Sequence, residues 1–288
     1  SLIPATVRRG VDFDWLDRNV ALAAGQGLKV VLCTPTPAPP IWLTEAHPDV
    51  LMVDATGRRQ VHGTRQHACW SVETYRRYVA KIVGELGRRY GKDARVWGWQ
   101  LDNELTHYGK EPCFCDACQR KFQAWLKNKY GTIAALNRDW GNAFWSQLYQ
   151  RFDQIRLPNT REFVAQFNPH HMLDSQRWFA AEAADYLRFQ TGILRQQCGH
   201  HQWITTNHMH SFPAINPALN ARDFDLVSWT LYPVHGQRRA RAARLPDRPR
   251  ARCQGESSPW GRGAHIAHKL PIAANNLPWL MLVPDDAG

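Results

Sequence analysis

The hydrophobic and polar positions of the chain repeat first with a helical period and then with a strand-like run. Between residues 12 and 24 the apolar residues of one helix face recur at helical spacing, namely Phe13, Leu16, Val20 and Ala23. Gly25 and Gly27 interrupt this pattern, and the apolar run LKVVLCT follows. Such a run is typical of a strand buried on both faces of a parallel sheet. The pattern predicts a helix followed by a buried strand.

The same unit recurs along the chain. Apolar residues at helical spacing from 72 to 86 precede the buried run RVWGWQLDN at 95–103. Helical patterns at 116–130 and 175–197 precede two more strand-like runs, QWITTNHM at 202–209 and FDLVSWTLYP at 224–233. Strands that alternate with helices predict right-handed βαβ units and a parallel sheet.

Polar residues follow each predicted strand near its carboxyl end. They are Thr34 and Thr36, Asn103 and Glu104, Asn207 and His208, and Tyr232. In a parallel (β/α)8 barrel these strand ends form one mouth, where active sites are built. A doubly wound sheet would give a similar pattern, but no glycine-rich phosphate loop follows any of these strands. We therefore predict an α/β protein of the TIM barrel type with one site at the mouth.

The composition is that of a globular protein with 288 residues, of which 44% are hydrophobic. No apolar run approaches the roughly 18 residues of a membrane-spanning helix, and the first residues lack the blocks of a signal peptide. The sequence therefore predicts a cytoplasmic protein with no membrane partner. The 13 tryptophans exceed ordinary usage. They are consistent with core packing and with aromatic faces that stack on sugar rings or bases.

The net charge of +11 raises the possibility of a polyanionic partner. The excess is local, because residues 238–252 contain seven arginines and a single acidic residue, Asp247. One alternative is therefore a zinc-containing binding protein that uses this segment on nucleic acid or another polyanion. The segment has no interleaved aromatic residues to stack on bases. We expect no nucleic-acid partner.

The segment Asp102-Asn103-Glu104 contains the first candidate chemistry. Alternation along the strand sends Gln100 and Asp102 to one side and places Glu104 just beyond the strand, as the residue most exposed to the mouth. A protonated glutamate beside an amide and near tryptophan faces suits glycoside cleavage, in which an acid protonates the leaving oxygen and then acts as a base for water. The alternative is a glutamate that caps a helix entry or pairs with Lys110.

The cysteines predict a metal site. Cys113, Cys115 and Cys118 lie within six residues, and Cys69 stands alone earlier in the chain. Four such thiols make a tetrahedral zinc site plausible, and a closed four-sulfur site would be structural. Independent reduced cysteines and, less readily, disulfides are the alternatives. Cys33 lies in a predicted strand and suits the core, whereas Cys198 and Cys253 have no evident partner.

Several motifs together resemble the bacterial β-galactosidases of glycoside hydrolase family 42. They are WQLDNE, TPTPAPPIWLTEAHPDVLMVDATGRRQ, the cysteine set, LNRDWGNAFWSQ and ITTNHM, in order between about residues 11 and 235. The resemblance implies a (β/α)8 barrel, retaining hydrolysis of terminal β-D-galactosides by two glutamates, and often a homotrimer. It implies that Glu104 is the general acid/base and that Asn103 contacts the sugar 2-hydroxyl. It also implies a zinc bound by Cys69, Cys113, Cys115 and Cys118, with Trp145 as an aromatic wall of the sugar site and Tyr232 close to the nucleophile.

The chain also departs from the family pattern. Two barrel strands expected before its first residues are not in the sequence, and no strand ending in a nucleophilic glutamate follows residue 235. Instead residues 236–288 are rich in Arg and Pro, and the flanks of Glu256 do not suit a buried strand end. We expect residues 1–235 to form barrel strands 3 to 6, with an out-of-frame or disordered tail at 236–288. A chain without an identifiable nucleophile is expected to have little or no activity.

Overall fold

The computed structural model describes residues 11–63, 65–159, 168–209, 215–230 and 280–284. Within these ranges there are six α-helices, and the longer ones bury an apolar stripe. Helix α3 illustrates the cause: Tyr75, Val79, Val83 and Leu86 recur every three or four residues and are all buried. The helices are α1 (Asp14–Gly25), α2 (Ile41–Ala46), α3 (Glu73–Tyr90), α4 (Asp116–Tyr130), α5 (Ile133–Trp140) and α6 (Pro169–Arg195).

The described residues form six strands in two sheets. They are β1 (Leu28–Cys33), β2 (Val96–Gln100), β3 (Trp203–Thr205), β4 (Asn207–His208), β5 (Ser228–Trp229) and β6 (Leu280–Pro284). Strand β2 pairs in parallel with β1 on one side and with β3 on the other. After Thr206 the chain continues as β4, which pairs in parallel with β5. The backbone of β6 pairs with the free edge of β1 in the antiparallel sense.

The core lies between this sheet and the long helices α3 and α6. Trp99 on β2 and Tyr186 and Leu187 on α6 are almost completely buried. Asn168 caps the start of helix α6: its side-chain oxygen accepts hydrogen bonds from the backbone N–H groups of His170 and His171, and Pro169 occupies the first turn. The core therefore anchors the strands whose carboxyl ends carry the polar residues.

The predicted alternation of helices and strands is confirmed in the described residues. Helix α4 has the predicted bounds, whereas α6 begins at Pro169 rather than Ser175, because the Asn168 cap and the proline start it earlier. The run at 202–209 is divided into β3 and β4. Of the predicted tail at 236–288, the structure describes only strand β6. None of the helices in the described ranges combines the length and the hydropathy needed to cross a bilayer.

Candidate active site and cysteine cluster

The segments that follow β1, β2 and β3 meet at one cluster of polar side chains. Thr34, just after β1, accepts a hydrogen bond on Oγ1 from the backbone N–H of Asp102 at 2.7 Å. The Thr36 hydroxyl donates to Asp102 Oδ2 at 2.7 Å. From the other side, Asn207 Oδ1 accepts from the backbone N–H of Glu104 at 3.2 Å. Hydrogen bonds from both neighbouring strands therefore hold the segment after β2.

This segment has an unusual backbone. Asp102 and Glu104 both have φ of 51°, in the left-handed region that side chains other than glycine seldom adopt. Such conformations cost of order 1–3 kcal/mol each and persist where the surrounding structure holds them. Simple strand alternation therefore does not continue past β2.

Glu104 is buried rather than exposed. That Glu104 is the residue of the segment most exposed to the mouth stays a prediction; only 2% of its side chain is accessible, and Asp102 and Asn103 beside it are 1% and 0% exposed. Arg65 helps to enclose the Glu104 carboxylate. Its Nη2 lies 2.9 Å from Glu104 Oε2, and its guanidinium also lies over the ring of Tyr108. Lys110, the partner considered from sequence, instead donates to Gln60 at 3.0 Å.

Asp102 lies deeper than Glu104 and is also enclosed by donors. Its carboxylate accepts hydrogen bonds from the Thr36 hydroxyl, the Gln66 amide at 2.8 Å and the Asn103 backbone N–H at 2.8 Å. Burial raises the pKa of the Asp102 carboxyl above its usual range, and these hydrogen bonds oppose the shift. The two carboxyl groups of this segment therefore have different surroundings, one beside an arginine and one among neutral donors.

Three residues that the sequence analysis did not single out complete the cluster. Arg65 and Gln66 come from the loop before α3, and Gln190 on α6 accepts from the Thr34 hydroxyl at 2.9 Å. The TRQH stretch at 64–67 has a charge and an amide next to Cys69, but neither periodicity nor spacing distinguishes it from an ordinary polar loop.

The other predicted substrate residues are placed less centrally or lie outside the described residues. Trp145 lies in a short 3-10 turn, Phe144–Ser146, with 68% of its surface exposed and its ring stacked on Phe144 at 4.5 Å. His208 is buried next to Trp229, and burial lowers its pKa to about 4. Tyr232 lies outside the described residues, as do Glu256 and the basic stretch 238–252.

The four predicted cysteine ligands come together. Cys69, Cys113, Cys115 and Cys118 are all buried, and their sulfur atoms lie within 4.8 Å of one another. Cys69 Sγ is 3.4 Å from Cys118 Sγ and 3.7 Å from Cys115 Sγ. Four sulfurs bound at about 2.3 Å to one zinc ion in a tetrahedron would be about 3.8 Å apart. The donor set and its spacing therefore fit zinc.

Local structure explains how distant cysteines meet. The backbone N–H of Cys69 donates to the carbonyl of Val50 at 2.8 Å. The Val53 N–H donates to Cys113 Sγ at 3.3 Å, and the Phe114 N–H donates to the Val53 carbonyl at 2.9 Å. The 50–53 segment thus bridges the two cysteine-bearing loops.

The electrostatics of the cluster favour thiolate character at its helix end. Cys115 is the N-cap of α4, at the positive end of the helix dipole. Hydrogen bonds with the neighbouring thiols lower the pKa of Cys115, and the bond with Cys113 has the largest effect. The hydrogen bond between Cys113 and Cys118 instead raises the pKa of Cys118. Thiolates are the form in which cysteines bind metal.

Comparison with known proteins places this chain in a family. The family model of glycoside hydrolase 42, described as β-galactosidase, matches residues 7–261, which extends past residue 235. The chain is 43% identical over 224 residues to the β-galactosidase BgaA of a Thermus species, in an alignment that covers 78% of this chain and 34% of that protein. It is 42% identical, with the same coverage, to a β-galactosidase of Thermus thermophilus.

Solved structures agree. The β-galactosidase from the psychrophilic Marinomonas ef1 matches with a TM-score of 0.74 at 37% identity, over 78% of this chain and 34% of that one. The β-galactosidase of the Antarctic haloarchaeon Halorubrum lacusprofundi matches with a TM-score of 0.74 at 38% identity, over 78% of this chain and 33% of that one. An α/β chain with a polar site at its strand ends thus falls among the glycoside hydrolases, and it belongs to glycoside hydrolase family 42. It spans about a third of the length of these relatives.

Proposed function

We propose that the protein is a β-galactosidase that cleaves terminal β-D-galactosides, with Glu104 as its general acid/base. The observation that carries this proposal is the Asn103–Glu104 pair after β2, which is buried and joined through Asn207 to the start of β4. A carboxyl group enclosed in a polar site is suited to proton transfer in glycoside cleavage. Family membership supports galactosides as the substrate class.

The proposal extends to the fold. In chain order β1, β2, β3 and β5 lie side by side, with parallel pairing at each step once β4 is counted as the continuation of β3. This order is that of consecutive strands in a (β/α)8 barrel. We assign them to strands 3 to 6 of such a barrel, within residues 1–235. That residues 236–288 form a separate tail stays a prediction.

Glu104 would act twice in a retaining reaction. It first gives its proton to the glycosidic oxygen, while the bond from that oxygen to the anomeric carbon breaks and a second carboxylate bonds to the carbon. Glu104 then takes a proton from water, whose oxygen displaces that carboxylate. Asn103 is assigned to the sugar 2-hydroxyl, Trp145 to an aromatic wall of the sugar site, and Tyr232 to a place close to the nucleophile. No residue is assigned as the nucleophile, and weak activity of this chain stays a prediction.

We also assign a structural zinc ion to the four cysteines. Cys69, Cys113, Cys115 and Cys118 would occupy all four positions, so zinc would crosslink two loops without contacting substrate. Because the cluster includes the start of α4, it would fix the chain that runs from Glu104 to that helix. The residues that act on substrate would then be positioned, but not assisted chemically, by the metal.

Hydrolysis of two galactosides with different leaving groups tests the role of Glu104. A dinitrophenyl leaving group needs little protonation, whereas a simple alkyl leaving group needs an acid. We expect Glu104→Ala to slow cleavage of the alkyl galactoside by about 10²-fold or more and to slow the first step with the dinitrophenyl galactoside far less. Added azide, which needs no base, should restore turnover of the dinitrophenyl substrate as β-galactosyl azide. Glu45→Ala, on the exposed face of α2, is the matched control. Equal losses for both substrates without azide rescue would remove Glu104 from this role.

A further inference from the structure

Gln66 connects three parts of the site region through one residue. Its side-chain amide donates two hydrogen bonds, to Asp102 Oδ1 at 2.8 Å and to the backbone carbonyl of Asn103 at 2.7 Å. Its own backbone N–H donates to the Pro37 carbonyl at 2.6 Å, and its carbonyl accepts from His107 Nδ1 at 3.2 Å. Gln66 therefore links the loops after β1 and β2.

The geometry of Gln66 is specific and demanding. Its φ is 60°, in the left-handed region, and only 6% of the residue is exposed. Left-handed backbone at a buried residue other than glycine requires that its surroundings hold it, which the hydrogen bonds of its N–H and carbonyl do here. The result is an amide aimed at the turn formed by residues 102–104.

Both acceptors of this amide lie in the strained turn. Asp102 and Glu104 have left-handed backbones, so the peptide between Asp102 and Asn103 has an orientation that local sequence does not favour. One Nε2 group reaches a side-chain oxygen of Asp102 and the main-chain oxygen of Asn103. A neutral NH2 group suits this place because it supplies two N–H donors without adding charge.

We propose that Gln66 is a positioning residue for Glu104: its amide fixes the left-handed turn at 102–104 and so sets the direction in which the Glu104 carboxyl group points. This inference rests on the proposed function of Glu104. Gln66 would act through the turn, to which its amide donates both of its hydrogen bonds. Without its amide, the turn relaxes and the hydrogen bond from the Glu104 N–H to Asn207 weakens.

Amide hydrogen exchange of the whole chain tests the proposal independently of activity. In Gln66→Met, which keeps the length of the side chain but has no amide, the protection factors of the Asn103 and Glu104 N–H groups should fall about tenfold or more. The Leu101 N–H, which donates to the Thr205 carbonyl at 2.7 Å, should change by less than about twofold. Gln60→Met is the matched control, because the Gln60 amide lies near Asp54 rather than near the turn.

Gln66→Glu supplies a signature that a merely space-filling residue would not give. Its carboxylate would face Asp102 Oδ1 and the Asn103 carbonyl, two acceptors, at neutral pH. Protonation at lower pH restores one O–H donor. At neutral pH we therefore expect Gln66→Glu to lower the protection of the turn, measured relative to the Leu101 N–H, more than Gln66→Met does. As the pH falls, the protection of the turn in Gln66→Glu should recover. If Gln66→Met does not fold, Gln66→Asn, which keeps the amide on a shorter stem, takes its place with the same expected loss.

Kinetics of nitrophenyl β-galactoside hydrolysis supply the second measurement. Gln66→Met should lower kcat about tenfold or more and change KM by less than about twofold, because a misdirected acid affects the reaction more than binding. Unchanged protection of Asn103 and Glu104, or an equal loss at Leu101, would overturn the proposal. A wild-type chain that neither binds nor cleaves galactosides would instead count against the proposed function, and the exchange data would still decide whether Gln66 holds the turn.

Discussion

Arg65 and Glu104 form an ion pair in which one partner is enclosed and the other is partly open to solvent. Nη2 of Arg65 lies 2.9 Å from Oε2 of Glu104, and the two side chains are 32% and 2% exposed. The arginine can therefore leave the pair toward solvent, whereas the carboxylate stays inside. This asymmetry means that the guanidinium provides charge compensation for a buried group.

Replacement of Arg65 by Met should therefore destabilise the chain. We expect a loss of about 1–2 kcal/mol in the free energy of unfolding, less than for a fully buried pair because Arg65 is partly solvated. Urea unfolding at neutral pH measures the change. Arg58→Met is the control: Arg58 is 80% exposed and lies 3.6 Å from Asp54, so its loss should be under about 0.5 kcal/mol. Equal effects of the two substitutions would show that Arg65 contributes no more than a surface charge.

The cysteine cluster should bind about one zinc ion per chain. Cys69→Ser should lose this zinc because it removes one of four sulfurs that lie within 4.8 Å of one another. Elemental analysis of the purified protein measures the metal. Cys198→Ser, which changes a half-buried thiol outside the cluster, should keep it. Metal-free wild-type protein whose cluster thiols all react with a thiol reagent would contradict the prediction.

Sequence patterns predicted much of the fold because the relevant signals are local. The helix period of α3 and the apolar run of β1 each reflect burial of one continuous segment. The cysteine cluster was predictable for a related reason: three of its members lie on one loop, and thiols at that spacing have few other uses in a reduced protein.

The precise arrangement around Glu104 could not be predicted in the same way. Its ion pair with Arg65 and the contact of Gln66 with Asp102 join residues 39 and 36 positions apart. Left-handed backbone at Asp102 and Glu104 also breaks the strand alternation from which exposure was inferred. Tertiary hydrogen bonds override the local backbone preference at this turn.

Asp102 should make stability depend on pH in a characteristic direction. Burial raises its pKa in the folded chain above the unfolded value, which is near 3.8. Between these two pKa values the folded state binds more protons, so the Asp102 contribution to stability falls as the pH rises. Asp102→Asn does not titrate, so the stability of the variant relative to wild type should increase as the pH is raised from about 4 through the folded pKa.

Urea unfolding of both proteins across this pH range tests the sign. Asp54→Asn is the control with the opposite expectation, because hydrogen bonds, that of Thr56 foremost, lower the pKa of Asp54 in the folded chain. The stability that Asp54 contributes is present above the unfolded value and is lost as the pH falls through the folded pKa. If the stability of Asp102→Asn relative to wild type decreased with rising pH, the hydrogen bonds to Asp102 would lower its pKa by more than burial raises it.

Gly98 on β2 should tolerate no side chain as long as the Trp203 indole stays in its present position. A Cβ atom at residue 98 would lie 2.3 Å from Cδ2 of the Trp203 ring, which covers this position from β3. Gly98→Ala should therefore cost about 1–3 kcal/mol in the free energy of unfolding and displace the indole. Gly192→Ala, in α6, places a Cβ with no atom within 4 Å apart from the adjoining residues and backbone of its own helix, and it should instead stabilise the helix by about 0.5–1 kcal/mol. Urea unfolding with tryptophan fluorescence measures both effects. In a Trp203→Ala background the cost of Gly98→Ala should largely disappear, and a cost that persists there would locate the obstruction in the backbone rather than in the indole.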